Sequence, residues 1–183
     1  MTAEHKINGM KSKKRLTDAL LILMTNHVYS EITITQICQE AKLSRKTFYR
    51  LFKTKDDIID EHLTNMHTQL MSKIKALHSY VYKDIAFAYF EFWHAHKTLL
   101  LLIKNQDVPF DFNAICRINA MEIYYLIKSE KSSSFNEDKI QYVLAYCIGG
   151  LNNVLLYWID QGAILTPTEL IQLLKDTFGT PLF

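Results

Sequence analysis

Residues 44–52 read "SRKTFYRLF", nine positions that combine two arginines and a lysine with two phenylalanines and a tyrosine. On a helix, at about 100° per residue, one arc of about 140° holds Arg45, Lys46, Tyr49, Arg50 and Lys53. The opposite side holds Ser44, Thr47, Phe48, Leu51 and Phe52. The stretch therefore predicts a short helix whose phenylalanines anchor it in a small core while its basic side chains point outward.

Helical spacing of apolar residues continues on both sides of this stretch, and 5 Gly and 3 Pro in 183 residues leave few turns. We predict an all-α fold of about nine helices. The expected helices cover about 12–26, 33–41, 45–52, 54–78, 82–96, 98–105, 111–129, 137–161 and 167–178. Their expected caps are Thr33 with Gln36, Ser44, Thr54 with Asp57, and Thr166 with Glu169, and Gly162 suits the end of the long helix.

Positive charge is concentrated at the amino-terminal end of the chain. Residues 1–55 hold 11 Lys and Arg against 4 Asp and Glu, whereas the remainder holds 10 against 15. This asymmetry favours a polyanionic partner for the first 55 residues alone. A solvated lysine-rich terminus is the alternative interpretation.

A short helix, the turn "KLS" and a second short helix with a basic face are typical of a helix-turn-helix, whose second helix enters the DNA major groove. Arg45 and Lys46, at the start of that helix, suit base edges, whereas Tyr49, Lys55 and the Thr33 hydroxyl suit phosphates. The predicted DNA-binding set also includes Ser44, Thr47 and Arg50. The alternative is a solvated basic helix in a bundle.

Residues 15–58 resemble the amino-terminal domain of the tetracycline-repressor (TetR) family of bacterial transcription regulators. The resemblance rests on the basic Arg15 near the start of the first helix, on the Thr33–Ile37 helix start, on "TFY" at 47–49, and on Phe52 followed by Lys55. Lys42 departs from it, since the family commonly has glycine in this turn. More loosely, "GGLNNVLLYWIDQGAILTPTELIQLL" is similar to the helices by which family members dimerise.

The resemblance implies a DNA-binding domain over residues 1–55 and a helical ligand-binding and dimerisation domain over 56–183. It also implies a homodimer on a palindromic operator, with a small-molecule effector and with repression as the usual mode. In the alternative function, the carboxy-terminal body binds a protein partner or recruits transcription machinery. A helical enzyme is a more distant alternative, because the sequence has no phosphate-binding glycine loop and no nucleophile elbow.

The helix predicted over 137–161 is apolar around most of its circumference, which suggests burial on two sides, by its own body and by a second subunit. Small and aromatic residues share one of its faces. The predicted dimer interface comprises Tyr142, Tyr146, Gly149, Gly150 and Asn153, with Leu170 and Leu174 from the last helix. The alternative is the central helix of a monomer.

Aromatic residues with polar tips cluster in the middle of the chain, in "YVYKDIAFAYFEFWHAH" and "INAMEIYYLI". A largely apolar pocket with a few polar groups has this composition, although aromatic stripes also build ordinary cores. The candidate pocket residues are Tyr89, Trp93, His94, Asn119 and Tyr124.

Several classes of site and location receive no support from the sequence. Histidine and cysteine spacings do not match metal-ligand patterns, so we expect no metal site and no cofactor. Three widely separated cysteines make a disulfide framework improbable. The apolar runs "ALLILM" and "TLLLLI" are too short to cross a bilayer, and we expect no membrane partner and a cytoplasmic location.

Overall fold

The computed structural model describes residues 3–118, 120–130 and 139–178, without the side chains at 3–6, 82, 118, 120, 127, 129, 130 and 178. The described residues form helices joined by short turns and contain no strand, which confirms the predicted all-α class. In chain order the helices are α1 (Ala3–Met24), the 3₁₀ turn η1 (Tyr29–Glu31), α2 (Ile34–Glu40), α3 (Arg45–Leu51), α4 (Asp56–Lys75), α5 (Tyr82–Ala95), α6 (Lys97–Asn105), α7 (Phe112–Ile118), α8 (Ala120–Glu130), α9 (Ile140–Asp160) and α10 (Pro167–Phe178).

The helix starts lie close to the predicted caps because those caps are local hydrogen-bonding motifs. Thr33 and Gln36 form a capping box at the start of α2. At α10, the Thr166 amide donates to a carboxylate oxygen of Glu169 at 2.7 Å, and the Glu169 amide donates back to the Thr166 hydroxyl. Gly162, with φ of +81°, ends α9 as predicted.

Two helix ranges differ from the prediction. Helix α1 begins at Ala3, about nine residues before the predicted start at Ser12, so the lysines of the amino terminus extend a helix. The segment predicted as one helix over 111–129 is described as α7 and α8, on either side of position 119. Asn119, a candidate pocket residue, and the serine-rich loop at 132–134 lie outside the described residues.

The chain divides into two compact units. Unit 1 contains residues 1–65 together with 102–110, and unit 2 contains 66–101 and 111–183. The expected boundary after residue 55 does not coincide with this division. Contacts inside unit 1 explain the difference: the amide nitrogen of Gln106 donates to the Met24 carbonyl at 2.9 Å, and its oxygen accepts from the Tyr29 amide at 2.8 Å.

The core of unit 1 forms where α1 packs against α2 and α3. Leu16, Leu20 and Met24 on α1 are fully buried, as are Ile37 on α2 and Phe48 on α3. Burying side chains of this size stabilises a fold by roughly 1.5 to 3 kcal/mol each relative to leaving them in water. The same packing fixes which side of α3 faces the solvent.

Helix α9 is the central helix of unit 2, where it packs against α5, α7 and α8. By length and composition, its 21 residues, with a mean hydropathy of 1.4, would suffice to cross a membrane. The runs "ALLILM" and "TLLLLI" lie outside this helix and are too short to do so. The buried residues of α9, among them Leu144, Leu155 and Trp158, pack inside unit 2. This packing accounts for the apolar residues on one side of α9 only, because 28% of the apolar window is buried.

Candidate functional site

Helix α3 is held at its start by a side-chain cap. The Ser44 hydroxyl accepts a hydrogen bond from the Thr47 amide at 3.1 Å and lies 3.0 Å from the Thr47 hydroxyl. Both hydroxyls, predicted as DNA contacts, therefore take part in the cap that orients α3. The cap places the next two residues, Arg45 and Lys46, in the first turn of the helix.

The inner face of α3 is anchored by aromatic packing. Phe48 is fully buried and Phe52 is buried at the end of the helix, with their ring centroids 6.1 Å apart. Aromatic contacts of this kind add to the free energy gained by burial itself. Rotation of α3 about its axis would expose Phe48, so the outward direction of the basic side chains is fixed by packing.

The outer face of α3 presents a basic surface to the solvent. Arg45, Lys46, Tyr49 and Arg50 are all exposed, as the helical spacing predicts. The Arg45 guanidinium lies over the Tyr49 ring, 5.9 Å from its centroid, a cation–π contact that aligns the two side chains. Three cations in two turns of an exposed helix fit the phosphates and base edges of a major groove.

Thr33 is exposed at the start of α2, but its hydroxyl is already engaged in the capping box. It lies 2.7 Å from the Gln36 side-chain oxygen and accepts from the Gln36 amide at 3.3 Å. A phosphate contact from this residue would therefore compete with the cap.

Lys55 has a different environment from the one predicted. Its ammonium donates to the carbonyl oxygens of Tyr29, Ser30 and Ile32 and lies 4.5 Å from the centroid of the Tyr29 ring. An ammonium group has three N–H donors, and these three carbonyls use all of them. Burial lowers the pKa of Lys55, and the neighbouring Asp56 opposes that shift. These contacts give Lys55 a structural role, and its phosphate contact stays a prediction.

In the turn between α2 and α3, the residue that stands where the family commonly has glycine has a left-handed backbone. Lys42 has φ of +52°. The Leu43 amide donates to the Cys38 carbonyl at 2.9 Å and the Lys42 amide to the Gln39 carbonyl at 3.0 Å, which together form a Schellman motif. The Arg15 guanidinium donates to the Lys42 carbonyl at 3.2 Å. These bonds offset the cost of a non-glycine residue in this conformation.

A second exposed surface lies on α9 in unit 2. At about 100° per residue, one arc of about 100° holds Tyr142, Tyr146, Gly149, Gly150, Asn153 and Tyr157. The three tyrosines are 79%, 71% and 70% exposed in chain order. No heavy atom of the described residues lies within 4 Å of where a Cβ would stand on either glycine, apart from the helix itself and the immediate chain neighbours. An exposed aromatic stripe with small residues at its centre fits a partner helix at close approach.

On α10 the exposed leucine is not the predicted one. Leu170 is 5% exposed and packs into unit 2, where α10 contacts α5, while Leu174 is half-buried. The neighbouring Leu173 is exposed instead. Leu170 therefore contributes to the core of its own unit, and its part in the dimer interface stays a prediction.

Unit 2 contains a partly open cavity of about 90 Å³ with almost wholly apolar walls. Residues from α4, α5, α7, α8 and α9 line it, including His67, Tyr89, Cys116, Tyr124, Leu144 and Asn152. Tyr89 and Tyr124 were candidate pocket residues. Trp93 and His94 are not among the lining residues: the Trp93 ring packs 4.9 Å from Phe112, and the His94 ring stacks 5.1 Å from Trp158.

The polar side chains of the lining residues lie almost entirely behind the apolar cavity surface and fall into two sets. The Tyr89 hydroxyl donates to the Asn152 side-chain oxygen, and the Asn152 amide donates to Asn113 at 2.7 Å. His67 and Tyr124, by contrast, have buried polar atoms with no hydrogen-bond partner among the described residues. Burial lowers the pKa of His67 and raises the pKa of Cys116 to about 11, so both are neutral near pH 7.

The sequence analysis missed His67, although α4 carried a usable signal. Leu63, Met66, Leu70, Met71 and Ile74 are buried at helical spacing, and His67 lies inside that stripe. A histidine in an apolar stripe marks either a satisfied core residue or a binding group. Its lack of a partner became visible only in three dimensions.

Among the described residues, no group of three or more His, Cys, Asp or Glu side chains could hold a metal ion. Cys38, Cys116 and Cys147 are free thiols.

A short helix, a tight turn and a second helix with an exposed basic face define a helix-turn-helix DNA-binding protein. Residues 16–61 match the family model described as "Bacterial regulatory proteins, tetR family", so the amino-terminal domain of this chain is that of a TetR-type DNA-binding regulator. A comparison with curated proteins found no significant match.

One solved structure has a similar fold over nearly the whole chain. It is named "Dihydroxyacetone kinase operon activator DhaS" and aligns with a TM-score of 0.58, covering 90% of each chain at 16% sequence identity. At this identity the likeness concerns the fold alone. The similarity of fold covers residues of unit 2 as well as those of unit 1.

Replacing Lys55 by methionine should destabilise the protein by about 1 to 3 kcal/mol, because three carbonyls lose a charged donor. Urea denaturation of the purified protein measures the change. Lys53→Met, which alters an exposed lysine two positions earlier, is the matched control and should leave the midpoint nearly unchanged. Unchanged stability of Lys55→Met together with weaker DNA binding would restore the phosphate-contact interpretation.

Arg45→Ala and Lys46→Ala should each weaken binding to a DNA site selected by the wild-type protein by about 1 to 3 kcal/mol, if the contact is bidentate to a base edge. Binding to random-sequence DNA of equal length is the control and should weaken less. Fluorescence anisotropy titrations at fixed salt measure both. Equal losses on the two DNAs would assign these residues to phosphates.

Proposed function

We propose that the chain is a homodimeric repressor that binds a palindromic operator and leaves it when a small molecule occupies the cavity of unit 2. The observation that carries the DNA-binding half of this proposal is the basic face of α3. Arg45, Lys46 and Arg50 are exposed on a helix whose other face is locked by Phe48. Such a helix can enter a major groove without rearranging its own packing.

The homodimer is supported by the exposed face of α9. Three exposed tyrosines and two glycines occupy one side of a helix whose other side is buried in unit 2. Exposed aromatic surface of this kind is unfavourable in water unless a partner covers it. A second copy of the same helix, related by a twofold axis, supplies a self-complementary partner. A twofold dimer presents two α3 helices to two half-sites, and this accounts for a palindromic operator.

The sensing step is supported by the apolar cavity of unit 2. A ligand shifts an equilibrium only by the difference between its affinities for the two states. A compound that prefers the state with misaligned α3 helices would release the operator by population shift. The protein would act in the cytoplasm, where the operator is.

An alternative mode deserves the same test. DhaS is named as an operon activator, and an activator of this architecture could use its body to recruit transcription machinery or another protein. The exposed tyrosines of α9 would then serve a partner other than a second copy. Measuring oligomeric state and operator affinity on the same variants of the α9 face distinguishes a second copy of this chain from another protein as the partner.

Gly150→Trp should convert the dimer to monomers while leaving the domain around α3 folded, because an indole at the centre of the contact blocks close approach of two helices. Sedimentation velocity measures the oligomeric state, and operator affinity should fall with it. Gly9→Trp is the matched control, since Gly9 lies on α1 and also has open space around its Cβ position. A Gly150→Trp dimer of unchanged affinity would place the interface elsewhere.

A further inference from the structure

The turn between α2 and α3 contains a side chain that the fold itself does not require. Lys42 has φ of +52°, in the left-handed region where a residue with a Cβ is strained and glycine is not. The Schellman motif of this turn uses backbone atoms alone, with the Leu43 amide donating to the Cys38 carbonyl and the Lys42 amide to the Gln39 carbonyl. Glycine would form the same bonds with less strain. The lysine side chain therefore destabilises the turn that carries it.

No polar partner inside the protein offsets this cost. The Lys42 side chain is exposed, and its ammonium forms no hydrogen bond or ion pair with any of the described residues. Two lysines of α1 differ in this respect, because Lys13 is paired with Glu61 and Lys14 with Asp18. A strained residue whose charge is unused within the protein is typical of a position that serves binding.

The alternative is that the Lys42 charge stabilises the carboxyl-terminal end of α2, where the helix dipole is negative. Helix α2 has seven residues and no basic residue in its last turn. This interaction is weak for an exposed side chain and is screened by salt. The alternative predicts that loss of the charge destabilises the fold and leaves DNA binding unchanged.

Lys42 lies beside the basic face of α3. It precedes Arg45 by three positions, so the two Cα atoms are at most about 11 Å apart. The Arg15 guanidinium donates to the Lys42 carbonyl at 3.2 Å and so fixes the turn against α1. In a helix-turn-helix the second helix reads base edges, while the elements before it cross the sugar–phosphate backbone. Lys42 precedes the Ser44 cap of α3 and therefore lies where phosphates are expected.

We propose that Lys42 donates to a DNA phosphate at the edge of the groove that α3 enters. An ammonium group is a compact charge with three rotatable donors on a flexible stem, which suits a phosphate oxygen. The contact adds affinity from outside α3 and carries no sequence information of its own. It rests on the proposed DNA-binding function and assigns one more residue to the same surface.

Three substitutions at this position separate the charge from the backbone strain. Lys42→Gln removes the charge and keeps a Cβ, Lys42→Gly removes both the charge and the strain, and Lys42→Arg keeps the charge. Lys83→Gln is the matched control, because it removes the charge of an exposed lysine on α5 in unit 2. Fluorescence anisotropy titrations over a series of salt concentrations measure DNA affinity, on a site selected by the wild-type protein and on random-sequence DNA of equal length. Urea denaturation measures stability.

Loss of one phosphate contact should make the slope of log affinity against log salt concentration less negative by about 0.9 for each protomer bound. Lys42→Gln and Lys42→Gly should both show this change, equally on the two DNAs, because a phosphate is the same in every sequence. Lys42→Arg and Lys83→Gln should keep the wild-type slope. Lys42→Gly should also raise the urea midpoint above that of the wild type, whereas Lys42→Gln should not, because only glycine relieves the strain.

An unchanged salt slope in Lys42→Gln would overturn the proposal, and lower stability of that variant with unchanged DNA binding would assign the charge to the end of α2. A changed slope in Lys42→Gly alone would attribute the effect to the geometry of the turn, which also overturns the phosphate contact. Failure of the proposed function looks different. Wild-type protein that binds neither DNA would contradict DNA binding and this contact together, whereas a wild type that binds and a Lys42→Gln slope that matches it would contradict the contact alone.

Discussion

The ammonium group of Lys55 joins the start of α4 to the segment between α1 and α2. It donates to three carbonyls in that segment, at Tyr29, Ser30 and Ile32, and the Tyr29 hydroxyl bonds Asp56 next to it. The Gln106 side chain closes the same region by bridging the end of α1 to the Tyr29 amide. Because α2 begins at Ile34, directly after these bonds, the placement of both helices of the helix-turn-helix depends on them. Lys55, although close in sequence to the basic helix α3, therefore stabilises the fold.

The same division of labour occurs within α3. Phe48 and the Ser44 cap fix the position of the helix. The side chains of Arg45, Lys46 and Arg50 are therefore not needed for packing and can contact DNA. Packing decides orientation, and the exposed cations supply affinity and base contacts. In unit 2, α9 is similarly divided between a buried side and an exposed side with three tyrosines. In both units one helix face makes the fold and the other remains available for binding.

Local features were predictable from the sequence and long-range ones were not. The caps at Thr33, Ser44 and Thr166 join residues three positions apart, so their pattern is visible in the chain. The contacts of Lys55 span more than twenty positions, and nothing in its neighbourhood distinguishes a structural lysine from a phosphate-binding one. Helical spacing likewise gave the apolar stripe that includes Leu170 but not which part of it packs into the core. His67 was missed because its significance is the absence of a partner, a property of the packed interior.

We propose that two α3 helices, held by a twofold dimer, read DNA. Selection of sequences from a randomised duplex pool by the purified full-length protein tests it most directly, followed by measurement of the number of protomers bound per selected duplex. We expect an enriched inverted repeat, with half-sites about one helical turn apart or a multiple of it and at least two protomers bound. Enrichment of a single unrepeated motif bound by one protomer, or no enrichment above the starting pool, would contradict it.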